Sequence, residues 1–554
     1  MKLNGSQILM ETLVEQGVDV IFGYPGGAVL NIYDALYDYQ DKIKHVLTAH
    51  EQGATHAADG YARVTGKAGV VIATSGPGAT NLVTGIANAY MDSVPMVCIT
   101  GNVSQELIGR DSFQEVYITG ITLPITKHNI MVRDVNELAD AVRKAFRIAN
   151  SGRKGPVLID IPKDVSAAIG EFTPREVLPL RPLPKAEDWE IEKIAQMIKE
   201  AQRPLIYFGG GVVFANAQEA LYSLMKKCDI PACNTLMSTG QIEDDERLKL
   251  GMVGMHGSVV ANMAVENCDL LLALGVRFSD RVALNAKRFA RNARIVHVDI
   301  DTTELNKNVS VDLEVIADVR STLESLLPMV EEKKHEEWLE AVKIWKEESK
   351  PCLATNDGLL HPYGIIDLLH EEFGKDTIWV TDVGQHQMWV GQRCRHINPR
   401  SFVTSGGLGT MGFGYGAAIG SKVAAPARPV LHITSDGSLH MNLNEACTAV
   451  SQKLPVITVI FNNEVLGMVR QWQRTFYHDR FMSVEPERQT NYVKLIEAFG
   501  GKGYICHNME ELKQAVKEAK QATGPVWIDC RISRDERVLP MIPSGGTVEN
   551  MIIE

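Results

Sequence analysis

With 554 residues, 45% hydrophobic and 22% charged, the chain can bury several cores, and usual domain sizes suggest about three or four domains. Its formal net charge of −12 opposes broad attraction to nucleic acid or an anionic membrane and leaves only local anion sites. Nine scattered cysteines without a Cys-x-x-Cys pair, no apolar run of membrane-spanning length, and a start lacking a basic region before an apolar core lead us to expect a cytoplasmic protein with buried thiols and neither signal nor transit peptide.

Ser6 is the expected N-cap of an amphipathic helix carrying Ile8, Leu9, Leu13 and Val14, ending near Gly17 before a strand over 18–22 and the turn Gly23-Tyr24-Pro25-Gly26-Gly27. A helical stretch over 138–148 precedes Gly155-Pro156-Val157-Leu158-Ile159-Asp160. Pro174, Pro179, Pro182 and Pro184 then mark an extended linker, because closely spaced prolines disfavour helix and sheet interior alike. A middle domain follows, with buried-strand candidates at 204–208, 270–274 and 294–298 alternating with helices. The charge-rich 331–350 segment, with Trp338 and Trp345, reads as a solvated helix leading to a second linker around Pro351 to Pro362. In the last third, a helix through Ile365 and Leu369, a strand over 377–380 and the turn Asp382-Val383-Gly384 repeat the opening grammar, and Gly524-Pro525-Val526-Trp527-Ile528-Asp529 repeats the earlier landmark. The chain thus begins and ends with similar α/β domains. The expected fold is α/β, with three doubly wound, mainly parallel domains at 1–170, 190–330 and 362–539, linkers at 171–189 and 331–361, and a tail at 540–554.

The chemistry concentrates where two predicted strands end. Strand 429–434 runs into Ser435-Asp436-Gly437-Ser438, and strand 455–461 runs into Asn462-Asn463. Doubly wound sheets bind ligands at the carboxyl ends of their strands. A carboxylate and an amide oxygen suit magnesium, which completes its octahedron with phosphate oxygens, water or a backbone carbonyl. Gly437 permits close approach of the backbone to a phosphate, and amides at the following helix start can donate to it. Asp436 and Asn463 are therefore candidate metal ligands in a diphosphate site, one strand–helix–strand excursion apart.

This arrangement resembles the thiamine diphosphate binding motif, and the resemblance implies Mg2+ held by Asp436, Asn463 and the backbone carbonyl of Val465. Ser435 stands where that motif usually opens with glycine, so a positive φ there would be costly. By the same resemblance, Glu51 in Thr48-Ala49-His50-Glu51-Gln52-Gly53 hydrogen-bonds the aminopyrimidine N1′ and promotes its imino tautomer. Ser75-Gly76-Pro77-Gly78-Ala79-Thr80-Asn81 resembles another turn near that site. Gly407-Leu408-Gly409-Thr410-Met411-Gly412 satisfies G-x-G-x-x-G, but the thiamine resemblance displaces a dinucleotide reading: Gly409 would contact the pyrimidine, Met411 would wedge between the two rings, and Gly384, Gln385 and His386 would lie at the diphosphate with Gly437 and Ser438.

Nearly the whole chain is similar to catalytic large subunits of the biosynthetic acetohydroxyacid (acetolactate) synthase family. Gly23-Tyr24-Pro25-Gly26-Gly27, Phe113-Gln114-Glu115, Gly254-Met255-His256-Gly257, Arg277-Phe278-Ser279-Asp280-Arg281 and Gly467-Met468-Val469-Arg470-Gln471-Trp472-Gln473 carry the likeness. It implies decarboxylation of pyruvate on thiamine diphosphate and condensation of the hydroxyethyl carbanion with pyruvate or 2-oxobutyrate, giving 2-acetolactate or 2-aceto-2-hydroxybutyrate for branched-chain amino acids. Arg281 would hold the second substrate's carboxylate, Trp472, Met468 and Met255 its alkyl group, with Gln114 and Gly27 near the intermediates and Pro25 and Met468 at the cofactor. Biosynthetic members also carry FAD in the middle domain, assigned by resemblance to Gly209, Gly210, Gly211, Arg277, Asp299 and Asp318, while Ser279 and Tyr415-Gly416 depart from the family pattern. A homodimer or tetramer is implied, the cofactor lying between an amino-terminal and a carboxyl-terminal domain of different subunits, with a small regulatory subunit as a further partner and the 540–554 tail resembling a segment that closes over the site. A catabolic, FAD-independent synthase or another thiamine-dependent 2-oxo acid decarboxylase is the nearer alternative, and an inactive cofactor-binding regulator the more distant one.

Overall fold

The structure, a computed structural model, describes residues 1–350 and 358–554, so the 351–357 part of the expected second linker lies outside the described residues. Among the described residues are three six-stranded parallel sheets flanked by helices. The mainly apolar strands explain the layering: Gly69–Ala73, Leu270–Leu274 and Val456–Asn462 are buried along their whole length, as strands covered on both faces must be.

The first and last sheets share one topology. In the first, strands run in the order Lys44–Leu47, Val20–Tyr24, Gly69–Ala73, Met96–Asn102, Pro156–Pro162, His128–Met131; in the last, Phe402–Val403, Ile378–Thr381, Val430–Ser435, Val456–Asn462, Val526–Arg531, Lys502–Cys506. The echoed Gly-Pro landmarks open the fifth strand of each. The likeness extends to a buried latch. Asn102 donates to Asp160 at 2.6 Å, and Asn462 donates to Asp529 at 2.8 Å, each bridging the fourth and fifth strands. The central sheet instead runs outward in both directions from the adjacent strands Pro204–Phe208 and Leu270–Leu274.

The two end domains share one hydrophobic core. Its seam is formed by helix Glu51–Thr65 and helix Phe413–Ala424, which occupy corresponding slots in the two sheets. Their backbones almost touch. A β-carbon on Gly60 would run into the Ala417 carbonyl, and one on Gly420 into the Ala57 carbonyl. Tyr415 and Gly416 fit this seam: the Tyr415 ring lies parallel to His432 at 5.3 Å and its hydroxyl accepts from Trp527 Nε1 at 3.1 Å, while Gly416 leaves room for the Gly53 carbonyl.

Three local expectations are corrected. Asn4, not Ser6, caps helix Gly5–Glu15: Asn4 accepts the Gln7 amide at 2.8 Å, whereas the Ser6 hydroxyl donates to the Ser166 carbonyl. The strand after it begins at Val20, because the Val18 amide is still tied to the Leu13 carbonyl. Helix Glu336–Glu348 is not simply solvated, since Trp338 is buried edge-on to Trp345 and donates to the Pro204 carbonyl at 3.0 Å.

Candidate active site

Strands Val430–Ser435 and Val456–Asn462 pair in parallel with Ser435 opposite Phe461, so Asp436 and Asn463 leave the sheet side by side. Asp436 opens the short helix Asp436–Leu439. The feared backbone conflict at Ser435 does not arise: its φ of −124° is extended, and its hydroxyl accepts the Ser438 amide at 3.3 Å. Strand Ile378–Thr381 lies on the other side of Val430–Ser435, and the chain turns outward from it to Phe402–Val403 before returning. Gly384 and Gln385 therefore face Asp436 across the crevice at the switch point, the position ligands take in such sheets.

The crevice fits a cation and a diphosphate. Asp436 Oδ1 is buried with no hydrogen-bond partner, and burial pushes the carboxyl up to about 7. A buried carboxylate oxygen left without a partner is costly, a cost a cation offsets. Asn463 Oδ1 accepts the Val465 amide at 3.3 Å and its Nδ2 donates to Gln385 Oε1 at 3.3 Å, which brings the third expected ligand, the 465 carbonyl, into the same turn. Space is kept by glycines: a β-carbon on Gly437 would stand 2.8 Å from Leu466 Cδ2, and one on Gly467 would overlap the Gln385 amide. Among the described residues no three His, Cys, Asp or Glu side chains gather around a possible metal. One carboxylate, one amide and one carbonyl, with positions left for phosphate oxygens, is the donor set magnesium accepts. His386, next along, is buried with Nε2 unpartnered, and burial pushes it down to about 4.

Behind the crevice sits a buried network the sequence did not signal. Asp382 accepts from His432 at 3.1 Å, from the Thr434 hydroxyl at 2.8 Å and from the Gly414 amide at 2.8 Å. Burial alone would raise its carboxyl, but the His432 hydrogen bond and charge outweigh it and hold Asp382 at about 2. The Gly409 and Met411 loop is pinned from the amino-terminal domain: Asp92 accepts the amides of Gly406 and Gly407 at 3.0 and 2.7 Å, and is itself held by Arg63 at 2.9 Å.

A second group of predicted residues gathers at the strand ends of the first sheet. Glu51 begins helix Glu51–Thr65, and Asn81 donates to its carboxylate at 2.9 Å. Gly27 stands with open space above it after Pro25, and Gln114 adopts a left-handed φ of 58° with its backbone against Gly76. Such a backbone persists only where its surroundings hold it. Among the described residues no hydrogen bond or ion pair joins Glu51 to Asp436 or Asn463; its carboxylate meets Asn81 and His50 instead.

Arg281 lies on the central domain with its side chain exposed beside Asp280 at 3.7 Å, and its carbonyl accepts the Met255 amide at 2.8 Å. Trp472 and Met468 lie on helix Gly467–Tyr477, with Trp472 edge-on to Phe476. No hydrogen bond or ring contact joins Arg281 to Trp472 among the described residues. The segment entering the tail ties the two regions together: Gln471 exchanges hydrogen bonds with Val538, and Ile542 in the tail donates to the Met255 carbonyl at 2.8 Å. Gly209, Gly210 and Gly211 follow strand Pro204–Phe208 at the switch point of the central sheet, with Gly209 and Gly211 packed on Gly275. Asp299 is pushed up to about 6 by burial, Arg277 donates to the Met91 carbonyl at 2.6 Å, and Asp318 is engaged as the cap of helix Val319–Leu326.

Comparison with known proteins accounts for all three domains. Residues 3–121 match the thiamine pyrophosphate enzyme N-terminal TPP binding domain, residues 191–326 its central domain, and residues 382–530 its C-terminal TPP binding domain. The chain is 45% identical to a probable acetolactate synthase large subunit of Methanocaldococcus jannaschii, over 99% of this chain and 95% of that protein. It is 45% identical to an acetolactate synthase large subunit of Parasynechococcus marenigrum (99% and 91%) and 44% identical to an acetolactate synthase of Mycobacterium bovis (98% and 90%).

Proposed function

Because the chain belongs to the acetolactate synthase large-subunit family of thiamine pyrophosphate enzymes, we propose that it decarboxylates pyruvate and joins the retained two-carbon unit to pyruvate or 2-oxobutyrate, forming 2-acetolactate or 2-aceto-2-hydroxybutyrate. The observation that carries this reading is the buried Asp436 carboxylate, its Oδ1 without a partner, beside Asn463 at the switch point of a sheet in this family's diphosphate domain.

Bound thiamine diphosphate supplies the carbanion and electron sink for losing carbon dioxide. Asp436, Asn463 and the Val465 carbonyl would hold Mg2+, and Gly437, Ser438, Gln385 and His386 would hold the diphosphate. Glu51 would hold a proton at the aminopyrimidine, and Gly409 and Met411 would line the cofactor site. Arg281 binds the second substrate's carboxylate, while Trp472 and Met468 enclose its short alkyl chain. Gly27 and Gln114 flank the reacting carbons.

By the family likeness, with one TPP binding domain at each end of the chain, each active site would take its Glu51 from a neighbouring copy, in a dimer or tetramer. The large-subunit relatives support a small regulatory partner. FAD would be held at the central sheet's switch point by Gly209–Gly211 with Arg277 and Asp299, whereas Asp318, already a helix cap, would contribute least. Buried free thiols such as Cys98 and Cys233 fit a cytoplasmic setting.

The decisive experiment follows carbon dioxide and acetolactate from pyruvate, with and without thiamine diphosphate and Mg2+. Release without condensation indicates a simple decarboxylase, and no cofactor-dependent release at all eliminates the enzyme reading. Flavin absorbance of the purified protein decides FAD.

A further inference from the structure

Glu445 is a fully buried carboxylate that the reaction outlined above does not use. It ends the short turn Leu443–Glu445 on the segment that follows Asp436, yet it reaches into the amino-terminal domain. One oxygen accepts the His50 amide at 3.0 Å; the other accepts the Ala49 amide at 3.2 Å and the Thr448 hydroxyl at 2.7 Å. Burying a carboxylate is costly unless such donors surround it, so the geometry of these three bonds is closely held.

The receiving chain is shaped around this carboxylate. Helix Glu51–Thr65 begins after His50, which offers no side-chain cap, so its entry turn has no local fastening of that kind. A β-carbon on Gly53 would overlap the Glu445 carboxylate. The Glu51 side chain is oriented by Asn81, but the two backbone amides before it are oriented by Glu445.

We infer that Glu445 is a positioning residue for Glu51: it clamps the Ala49–His50 turn and so sets where the Glu51 carboxylate points. The inference rests on the reading of Glu51 as the proton-handling group. It also links the segment carrying Asp436, which serves one cofactor site, to the Glu51 turn of the same chain, which serves the other.

The test uses the full-length protein with Glu445→Gln, which keeps the side chain's shape but replaces one acceptor oxygen by a donor, and Thr448→Val, which removes the hydroxyl that orients the carboxylate. Expected for Glu445→Gln are faster amide hydrogen exchange in a peptide spanning 45–56 without cofactor, and a kcat lowered about 10- to 100-fold with KM for pyruvate within about twofold. Thr448→Val should shift both readouts in the same direction by less. Unchanged exchange in both variants, or loosened exchange with undiminished kcat, overturns the inference. A Glu51→Gln control separates the two readings: full activity there removes the role given to Glu51, while amide exchange still reports whether Glu445 holds the turn.

Discussion

The Ser435 hydroxyl accepts the backbone amide of Ser438 at 3.3 Å from an extended backbone, so the serine caps the turn that carries Asp436. Ser435→Gly should therefore lower stability by about 1 kcal/mol, through the lost cap and the added freedom of the unfolded chain. It should not tighten thiamine diphosphate binding. Urea unfolding and a cofactor titration measure the two effects separately, and a variant that binds cofactor more tightly would show that serine is a handicap here.

The seam between the end domains offers a contrast between two glycine-to-alanine changes. Gly420→Ala forces a methyl group into the Ala57 carbonyl and should cost about 1–3 kcal/mol. Gly364→Ala, in helix Pro362–Phe373, meets only Met509 Sδ at 3.8 Å and should gain up to about 1 kcal/mol from helix propensity. Equal denaturation midpoints for the two variants would contradict the packing described.

His56 is fully buried, and burial pushes its imidazole down from 6.5 to about 4, weakly opposed by Asp382. The unfolded chain takes up this proton near pH 6.5 and the fold resists it until about 4, so the unfolded state binds more protons across that window and stability falls as pH drops through it. The contribution of this one group is on the order of 3 kcal/mol. His56→Gln should flatten the pH dependence of unfolding by about one proton between those limits. An unaltered slope would mean that His56 titrates normally in the fold.

Arg281→Ala separates condensation from decarboxylation. If its guanidinium binds the second 2-oxo acid, the ratio of acetolactate formed to carbon dioxide released should fall about 10- to 100-fold, as for the loss of a charge-assisted hydrogen bond. A parallel fall in both products would place Arg281 in the first half-reaction instead.

Much of this architecture was legible in the chain. Continuous apolar runs marked the buried strands, and polar residues immediately after them, Asp436 and Asn463, marked the crevice because parallel sheets expose their functional ends there. The repeated Gly-Pro-Val segments marked two domains that prove identical in strand order. What stayed hidden depends on partners remote in sequence. Asp92 holding the Gly406 and Gly407 amides, and Glu445 holding those of Ala49 and His50, look in the sequence like any other acidic residues. Asn4 and Ser6 are both competent caps, and only the position of the Ser166 carbonyl decides between them. The alanine- and glycine-rich face of helix Glu51–Thr65 reads as generic small-residue packing until its counterpart lies against it.

At Gly60–Ala417 and Ala57–Gly420 the backbones of the two seam helices meet with no side chain between them, while His56 and Arg63 pack on Phe413 beside those points. Such a joint can neither swing open nor slide by a fraction of a helical turn without breaking its fit. This tight joint couples the two end domains, so that moving one carries the other. Any opening for substrates has to come from segments that dock on the coupled pair from outside, such as the tail held by Met255.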